Sequence, residues 1–282
     1  MKRTTVSQIR HNIKVYDRIY DKYEKMHGDT FNPIEQERLH KKLEQAIKSI
    51  KTNSSNKIAL DYGCGSGNLT KHLIELGIHT VAADTSKKFL DLVAKKYSHA
   101  SRLDVLEING QSLSNVKNGH FDLVATYSVL HHVPDYLGII KEMVQALKPG
   151  GIIYLDHEKN ESYWNKDEQY LEFLRLAWLT PPKKWKKYLK LSNYLFKLRR
   201  IIHPRYTSEG DIHTFPDDHI EWDKIENLLT TQGCEIVLKE DYLLYKRGYS
   251  IEIYQEYNNK CNDMRLLIAR KKCSSPKMPK TG

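Results

Sequence analysis

Gly63, Gly65 and Gly67 stand at every second position just after the run Ile58–Asp61, in the stretch IALDYGCGSGNLT. Glycines so spaced let a backbone turn sharply and let a ligand come close to the main chain. Amides left free where a helix begins just beyond suit a carboxylate or hydroxyl groups. Asp84 closes a second apolar run, Thr80–Ala83, and a carboxylate at such a strand end can accept both hydrogen bonds of a ribose. Its competing role is a solvated cap for the helix that starts at Ser86. His131, His132, His157 and His213 are candidate proton acceptors, because an unperturbed imidazole titrates near neutrality. Each also has a plainer reading as a packed or loop-bound polar side chain. Cys64 reads as a small filler between glycines rather than as a nucleophile.

These side chains need strand ends to hold them together, and the pattern supplies them. From Ile58 onward strand and helix patterns alternate, which predicts an α/β fold with a doubly wound, mainly parallel sheet. Strands are expected at 58–60, 80–83, 103–108, 121–127 and 151–155, with Lys148-Pro149-Gly150-Gly151 stopping the helix before the last. Residues 234–245 and 265–269 read as an antiparallel pair that completes seven strands. Val6, Ile9, Ile13, Tyr16, Tyr20 and Tyr23 make one stripe of a helix that ends at His27-Gly28-Asp29, and a second helix runs from about Pro33 to Ile50. The expected units are an N-terminal helical cap (1–51), an α/β core (52–158), a basic helical insert (159–225), the rest of the core (226–272) and a disordered tail (273–282). A dinucleotide loop wants glycine at its first, third and sixth positions. Counted from Gly63 the sixth is Asn68, so that fingerprint fails.

The glycine loop after Asp61 resembles the first motif of class I S-adenosylmethionine-dependent methyltransferases. Residues 121–135, FDLVATYSVLHHVPD, and the LKPGG before the fifth strand resemble later motifs of the small-molecule members, in the same order. The resemblance covers about 58–158 well and 211–272 loosely. It implies a Rossmann-like methyltransferase fold, S-adenosylmethionine as cofactor and S-adenosylhomocysteine as product. The cofactor contacts it implies are Asp61, Gly63, Cys64, Gly65, Gly67, Asp84, Thr85, Gln111, Ser112, Tyr127 and Ser128. Gln111 falls where the family commonly has an Asp, so the Ser112 backbone amide is the alternative contact there. The expected reaction is in-line methyl transfer, most readily to an oxygen of a small or lipid-like acceptor, with His132 or His131 as base and His157 and His213 as further candidates.

The chain has 282 residues, 45 Lys and Arg against 35 Asp and Glu, and a net charge of +10. Between Phe173 and Ser208 lie ten Lys or Arg and no acidic residue, so the whole excess sits in one segment. That localisation suits an anionic partner. As a helix, 183–202 would align Tyr188, Leu191, Leu195, Leu198 and Ile202 on one face, as a cap, a membrane-surface helix or a receiver of an acidic acceptor. Trp164, Trp178 and Trp185 are candidates to line an apolar pocket. No apolar run is long enough for a membrane span and no signal core follows MKRTT. The four scattered cysteines form no CxxC pair, which leads us to expect a reduced, cytoplasmic protein without structural zinc. No metal-ligand cluster stands out, so no metal is expected. Two alternatives remain: an RNA methyltransferase using the basic insert, and a cofactor-binding protein that has lost catalysis.

Overall fold

The computed structural model describes residues 5–179, 194, 200–201, 207 and 210–273. Helix α1 (Thr5–Ile19) is followed by a short turn α2 (Tyr23–Met26) and helix α3 (Pro33–Lys48). The tyrosine stripe therefore does not lie on one helix. Lys22 N donates to the Ile19 carbonyl, the chain turns, and Tyr23 starts the second piece. Asn32 caps α3 by accepting from the Glu35 amide, with Pro33 at the first helical position, where its missing N–H costs nothing.

The central sheet has the order β3-β2-β1-β4-β5-β9-β8. Its strands are β1 (Ile58–Tyr62), β2 (His79–Asp84), β3 (Leu103–Glu107), β4 (Phe121–Tyr127), β5 (Leu147–Lys159), β8 (Cys234–Tyr242) and β9 (Met264–Lys271). The first five are parallel, and β9 inserts antiparallel between β5 and β8. The crossovers use α4 (Asn68–Glu75), α5 (Lys87–Lys96) and α6 (Tyr136–Ala146), while α7 (Glu161–Trp164), α8 (Glu168–Leu176), a small hairpin β6 (Thr214–Phe215) and β7 (Asp218–His219), and α9 (Trp222–Thr231) lead to β8. Ser86 caps α5 through the Phe89 amide, as its position before the helix predicts.

Strand β5 is longer than its apolar core. The Lys148–Gly151 stretch is part of the strand, not a break before it, because the register with β4 shifts between Phe121 and Leu123. Gly150 (φ +82°) donates no side chain there, and a Cβ would meet the Lys51 carbonyl oxygen at 2.5 Å. Glycine is thus required where the linker before β1 crosses β5.

Alternate residues of the inner strands face opposite layers, the two-residue period of a sheet covered on both sides. Leu60, Val124, Ile153, Leu155 and Leu267 pack with Ile139, Ile140 and Met143 of α6 and Trp222 and Ile225 of α9. Ala59, Leu123, Ala125, Ile152 and Tyr154 pack with Leu39 and Leu43 of α3 and Leu69 and Leu73 of α4. Strand order reverses between β1 and β4, so a crevice must open beyond their carboxyl ends. No helix among the described residues is long and apolar enough to cross a membrane. The expected basic helix after Pro181-Pro182 and the expected tail lie almost wholly outside the described residues.

Candidate active site

The crevice at the switch between β1 and β4 is a cavity of about 920 Å³, open to solvent. Gly63, Cys64, Gly65, Ser66 and Asn68 form one wall, Asp84, Thr85 and Phe89 a second, and Tyr127, Ser128, Val129 and His132 a third. The glycine loop hangs on β2, since the amides of Gly63 and Cys64 both donate to the Ala83 carbonyl. Gly63 (φ +75°) is irreplaceable, because a Cβ would come within 2.6 Å of Val129. Around Gly65 (φ +50°) no atom lies within 4 Å of a built Cβ, so this glycine leaves the space a ligand needs. Helix α1 roofs the cavity with Ile9, Asn12 and Tyr16. It is pinned by Asn12 Nδ2 on the His132 carbonyl at 3.2 Å and by Ser86 Oγ on Asp17 at 2.6 Å.

Polar groups in this cavity fit a nucleoside that carries an amino-acid end. Asp84 is buried, with Oδ2 accepting from the Gly65 amide at 2.9 Å and Oδ1 from the Ser86 amide at 2.8 Å. Burial raises its pKa, but three backbone amides hold the charge, and its remaining lone pairs can accept ribose hydroxyls. The Oγ of Ser66 and the Nδ2 of Asn68 are buried with no hydrogen-bond partner among the described residues. Both stand at the start of α4, where donors and the helix dipole favour a carboxylate. Ile9, Phe89, Ile108 and Val133 supply apolar surface. The residues present therefore fit S-adenosylmethionine, which Asp84, Gly65, Ser66 and Asn68 would hold.

A second, more polar cavity of about 600 Å³ shares Ser128 with the first. His131, His157, Glu158, Lys159, Trp164, Asp211 and His213 line it. Ser128 (φ +59°) and His157 (φ +65°), at the ends of β4 and β5, are the only non-glycine residues with positive φ among those described. Such backbone costs about 1–3 kcal/mol per residue and concentrates where a site must be held to shape.

The four candidate histidines all line one of the two cavities, but their bonding separates them. His131 Nδ1 meets Glu158 Oε2 at 2.8 Å, and Glu158 Oε1 accepts from the Leu130 amide at 2.7 Å. Burial opposes a charge on His131, yet the Glu158 carboxylate outweighs it and lifts the pKa above the ordinary histidine value. His132 Nε2 bonds the Tyr16 hydroxyl at 2.8 Å, and Nδ1 lies 3.3 Å from Asp211 Oδ1. Burial, then the neighbouring His131 and His27, push its pKa well below the ordinary value, so it stays neutral. His213 is engaged at both nitrogens, by Asp218 at 2.6 Å and the Val133 carbonyl at 3.1 Å. His157 stacks on Tyr127 at 4.5 Å and meets the Tyr242 hydroxyl at 3.3 Å.

Among the residues implied as cofactor contacts, Gly63, Cys64, Gly65, Asp84, Thr85, Tyr127 and Ser128 line the first cavity. Asp61 does not. It lies beneath the loop, where Oδ2 accepts from Thr70 Oγ1 at 2.6 Å and burial raises its pKa to about 7. Gly67 is the left-handed residue before α4, set against Tyr97. Gln111 and Ser112 lie outside the lining, and the amides of both donate to Asn109 Oδ1, so the Ser112 amide is already taken. Trp164 lines the second cavity, whereas Trp178 packs on Tyr249. Trp185 lies outside the described residues. Sequence reading missed Asn12, Ser66, Asn68 and Glu158. For Glu158 the signal was its place at the end of the fifth strand, opposite the histidine pair.

Residues 60–155 match a family described as a methyltransferase domain. A demethylmenaquinone methyltransferase of Bacillus licheniformis is 29% identical over 56% of this chain and 68% of its own length. Ubiquinone biosynthesis O-methyltransferases of Pelagibacter ubique and Methylococcus capsulatus are 33% and 31% identical, over 48% and 36% of this chain and 55% and 44% of theirs. The chain thus spans about half the length of most curated relatives it matches. Among solved structures, an S-adenosylmethionine-dependent methyltransferase from Mesorhizobium loti superposes with a TM-score of 0.51, at 19% identity over 80% of this chain and 96% of that one. A putative sarcosine dimethylglycine methyltransferase from Galdieria sulphuraria gives 0.52, at 14% identity over 84% of each. These two likenesses carry the fold alone. Together with the domain match, the strand order and the cavity at its switch point, they show a methyltransferase domain at residues 60–155 within a Rossmann-like fold of the class I S-adenosylmethionine-dependent methyltransferase type.

Proposed function

We propose that this protein transfers the methyl group of S-adenosylmethionine to a hydroxyl oxygen of a small, lipid-like acceptor. One observation carries the reading: the His131–Glu158 pair lines a cavity that shares Ser128 with the cofactor cavity. A bound sulfonium supplies an activated methyl, so the protein must chiefly align the acceptor and remove its proton. Glu158 holds His131 by Nδ1, which leaves Nε2 to take the hydroxyl proton, and the carboxylate then stabilises the imidazolium. Neutral His132, on the wall of the cofactor cavity, is instead fixed between Tyr16 and Asp211. Trp164, Ile220 and Met264 give that cavity its apolar wall, and the buried Trp164 Nε1 is a donor with no partner among the described residues.

The relatives named for ubiquinone and menaquinone chemistry support an acceptor with an apolar tail. We further read the basic stretch 183–202 as a contact for an anionic surface or acceptor group, which suits such a molecule. Four free cysteines support work in the reducing cytoplasm. The test is incubation with S-adenosylmethionine and separate acceptors: a prenylated hydroquinol, its tail-less analogue and total RNA. A methylated prenyl product with stoichiometric S-adenosylhomocysteine is expected. Methylation of RNA alone would defeat the reading.

A further inference from the structure

Helices α3 and α4 carry a side-chain cluster apart from both cavities. His40 of α3 stands beside His72 and Glu75 of α4, with the two Nδ1 atoms 3.1 Å apart. Glu75 Oε2 lies 3.9 Å from His40 Nδ1 and 3.6 Å from His72 Nδ1. Three donor atoms at these separations form one face of a tetrahedron around a point roughly 2.1 Å from each, the bond length of zinc to nitrogen and oxygen.

The surrounding bonds fix which nitrogen carries a lone pair. Gln36 donates its Nε2 to the Thr30 carbonyl at 3.1 Å and to Asn68 Oδ1 at 2.8 Å. Its Oε1 therefore faces His72 Nε2, 3.0 Å away, and that nitrogen must be the protonated one. His72 Nδ1 is left as an acceptor, directed by a second layer of hydrogen bonds of the kind that orients metal-bound histidines. Lys71 lies 3.9 Å from Glu75 Oε1 and leaves Oε2 to the histidines. His40 and Glu75 are partly exposed, which provides an entry path, whereas His72 is buried.

We propose that His40, His72 and Glu75 form a site for one zinc-class divalent cation that ties α3 to α4, with water in the fourth position. Two imidazoles select for such a cation over magnesium or calcium, which prefer oxygen. The site revises the expectation of no metal. Its ligands come from two helices, with His40 and His72 separated by 32 positions, so spacing along the chain concealed it. The ion would brace the helix whose first residue, Asn68, lines the cofactor cavity. Nothing in this inference depends on methyl transfer.

The test uses the full chain freed of metal by a chelator, then titrated with Zn²⁺ in a calorimeter and with Co²⁺ by visible absorption. One Zn²⁺ per chain, a tetrahedral Co²⁺ spectrum and a higher Tm with Zn²⁺ are expected. His40→Ala and Glu75→Gln, changes at partly exposed positions, should each weaken binding by at least about tenfold and remove the Tm increase. Asp211→Asn, which disables the other histidine-rich cluster (His131, His132, Asp211), should leave Zn²⁺ affinity unchanged. The proposal is overturned if folded protein binds no stoichiometric Zn²⁺, or if His40→Ala and Glu75→Gln bind it undiminished. Loss of binding in Asp211→Asn instead would overturn it equally.

Discussion

At the scale of single residues, two carboxylates divide the work in the proposed reaction. Asp84 holds the loop through Gly65 and has lone pairs left for the ribose, so Asp84→Ala should weaken S-adenosylhomocysteine binding by about 10- to 100-fold, the value of a hydrogen bond to a charged group. Gly65→Arg should abolish binding by filling the open space, while circular dichroism shows a folded chain. Glu158 sets the protonation of His131. A protonated imidazole cannot accept a proton, so the transfer rate should fall as pH drops through the raised His131 pKa, which lies above 6.5, and level off above it. In Glu158→Gln burial is left to dominate, and the acidic limb of the pH–rate profile should move to lower pH. His131→Ala should lower kcat by about 100-fold or more with cofactor affinity intact. An unmoved acidic limb in Glu158→Gln would remove His131 from the role of base.

At the scale of elements, a buried ion network joins α3 to the end of β5. Arg38 bonds Glu35 at 2.9 Å through Nε and Asp156 at 2.9 Å through Nη2, and Tyr127 donates to Glu35 at 2.8 Å. Burial alone would raise the Glu35 pKa, yet Arg38 and His157 hold it down at about 2. Its charge thus contributes stability that is complete above the unfolded carboxyl pKa and is lost as pH falls from about 4.5 toward 2. Arg38→Ala strands two buried carboxylates and should cost about 3–5 kcal/mol in urea unfolding at neutral pH. A loss under 1 kcal/mol would mean that water already reaches the pair. This network was illegible in the sequence, because Arg38 and Asp156 are 118 positions apart and no local pattern links them. The parallel strands were legible for the opposite reason. Both faces of β4 are buried, so Phe121–Tyr127 reads as a mostly apolar run interrupted by Asp122, which is paired with Lys148, and by the small Thr126. The start of β5 was misread because Pro149 and the two glycines mark a bulge there, not a turn.

At the scale of the whole molecule, the site follows from topology. Reversal of strand order between β1 and β4 opens the crevice, and the glycine loop, Asp84 and Ser128 stand on the three strand ends that border it. That much could be read from motif order, whereas the roof by α1 and the second cavity depend on contacts between distant segments, such as Asn12 with His132 and His131 with Glu158. The charge excess lies in a different segment from these motifs. Replacing Lys183, Lys184, Lys186 and Lys187 by Gln should therefore reduce binding to anionic vesicles while S-adenosylhomocysteine affinity holds; equal vesicle binding would dismiss the surface role. The central claim is that the cavity between β1 and β4 receives S-adenosylmethionine. Isothermal titration of the folded chain with S-adenosylhomocysteine tests it most directly. Saturable binding of one molecule per chain, eliminated by Gly65→Arg, is expected. Absence of binding by well-folded wild-type protein, or equal binding by Gly65→Arg, would contradict it.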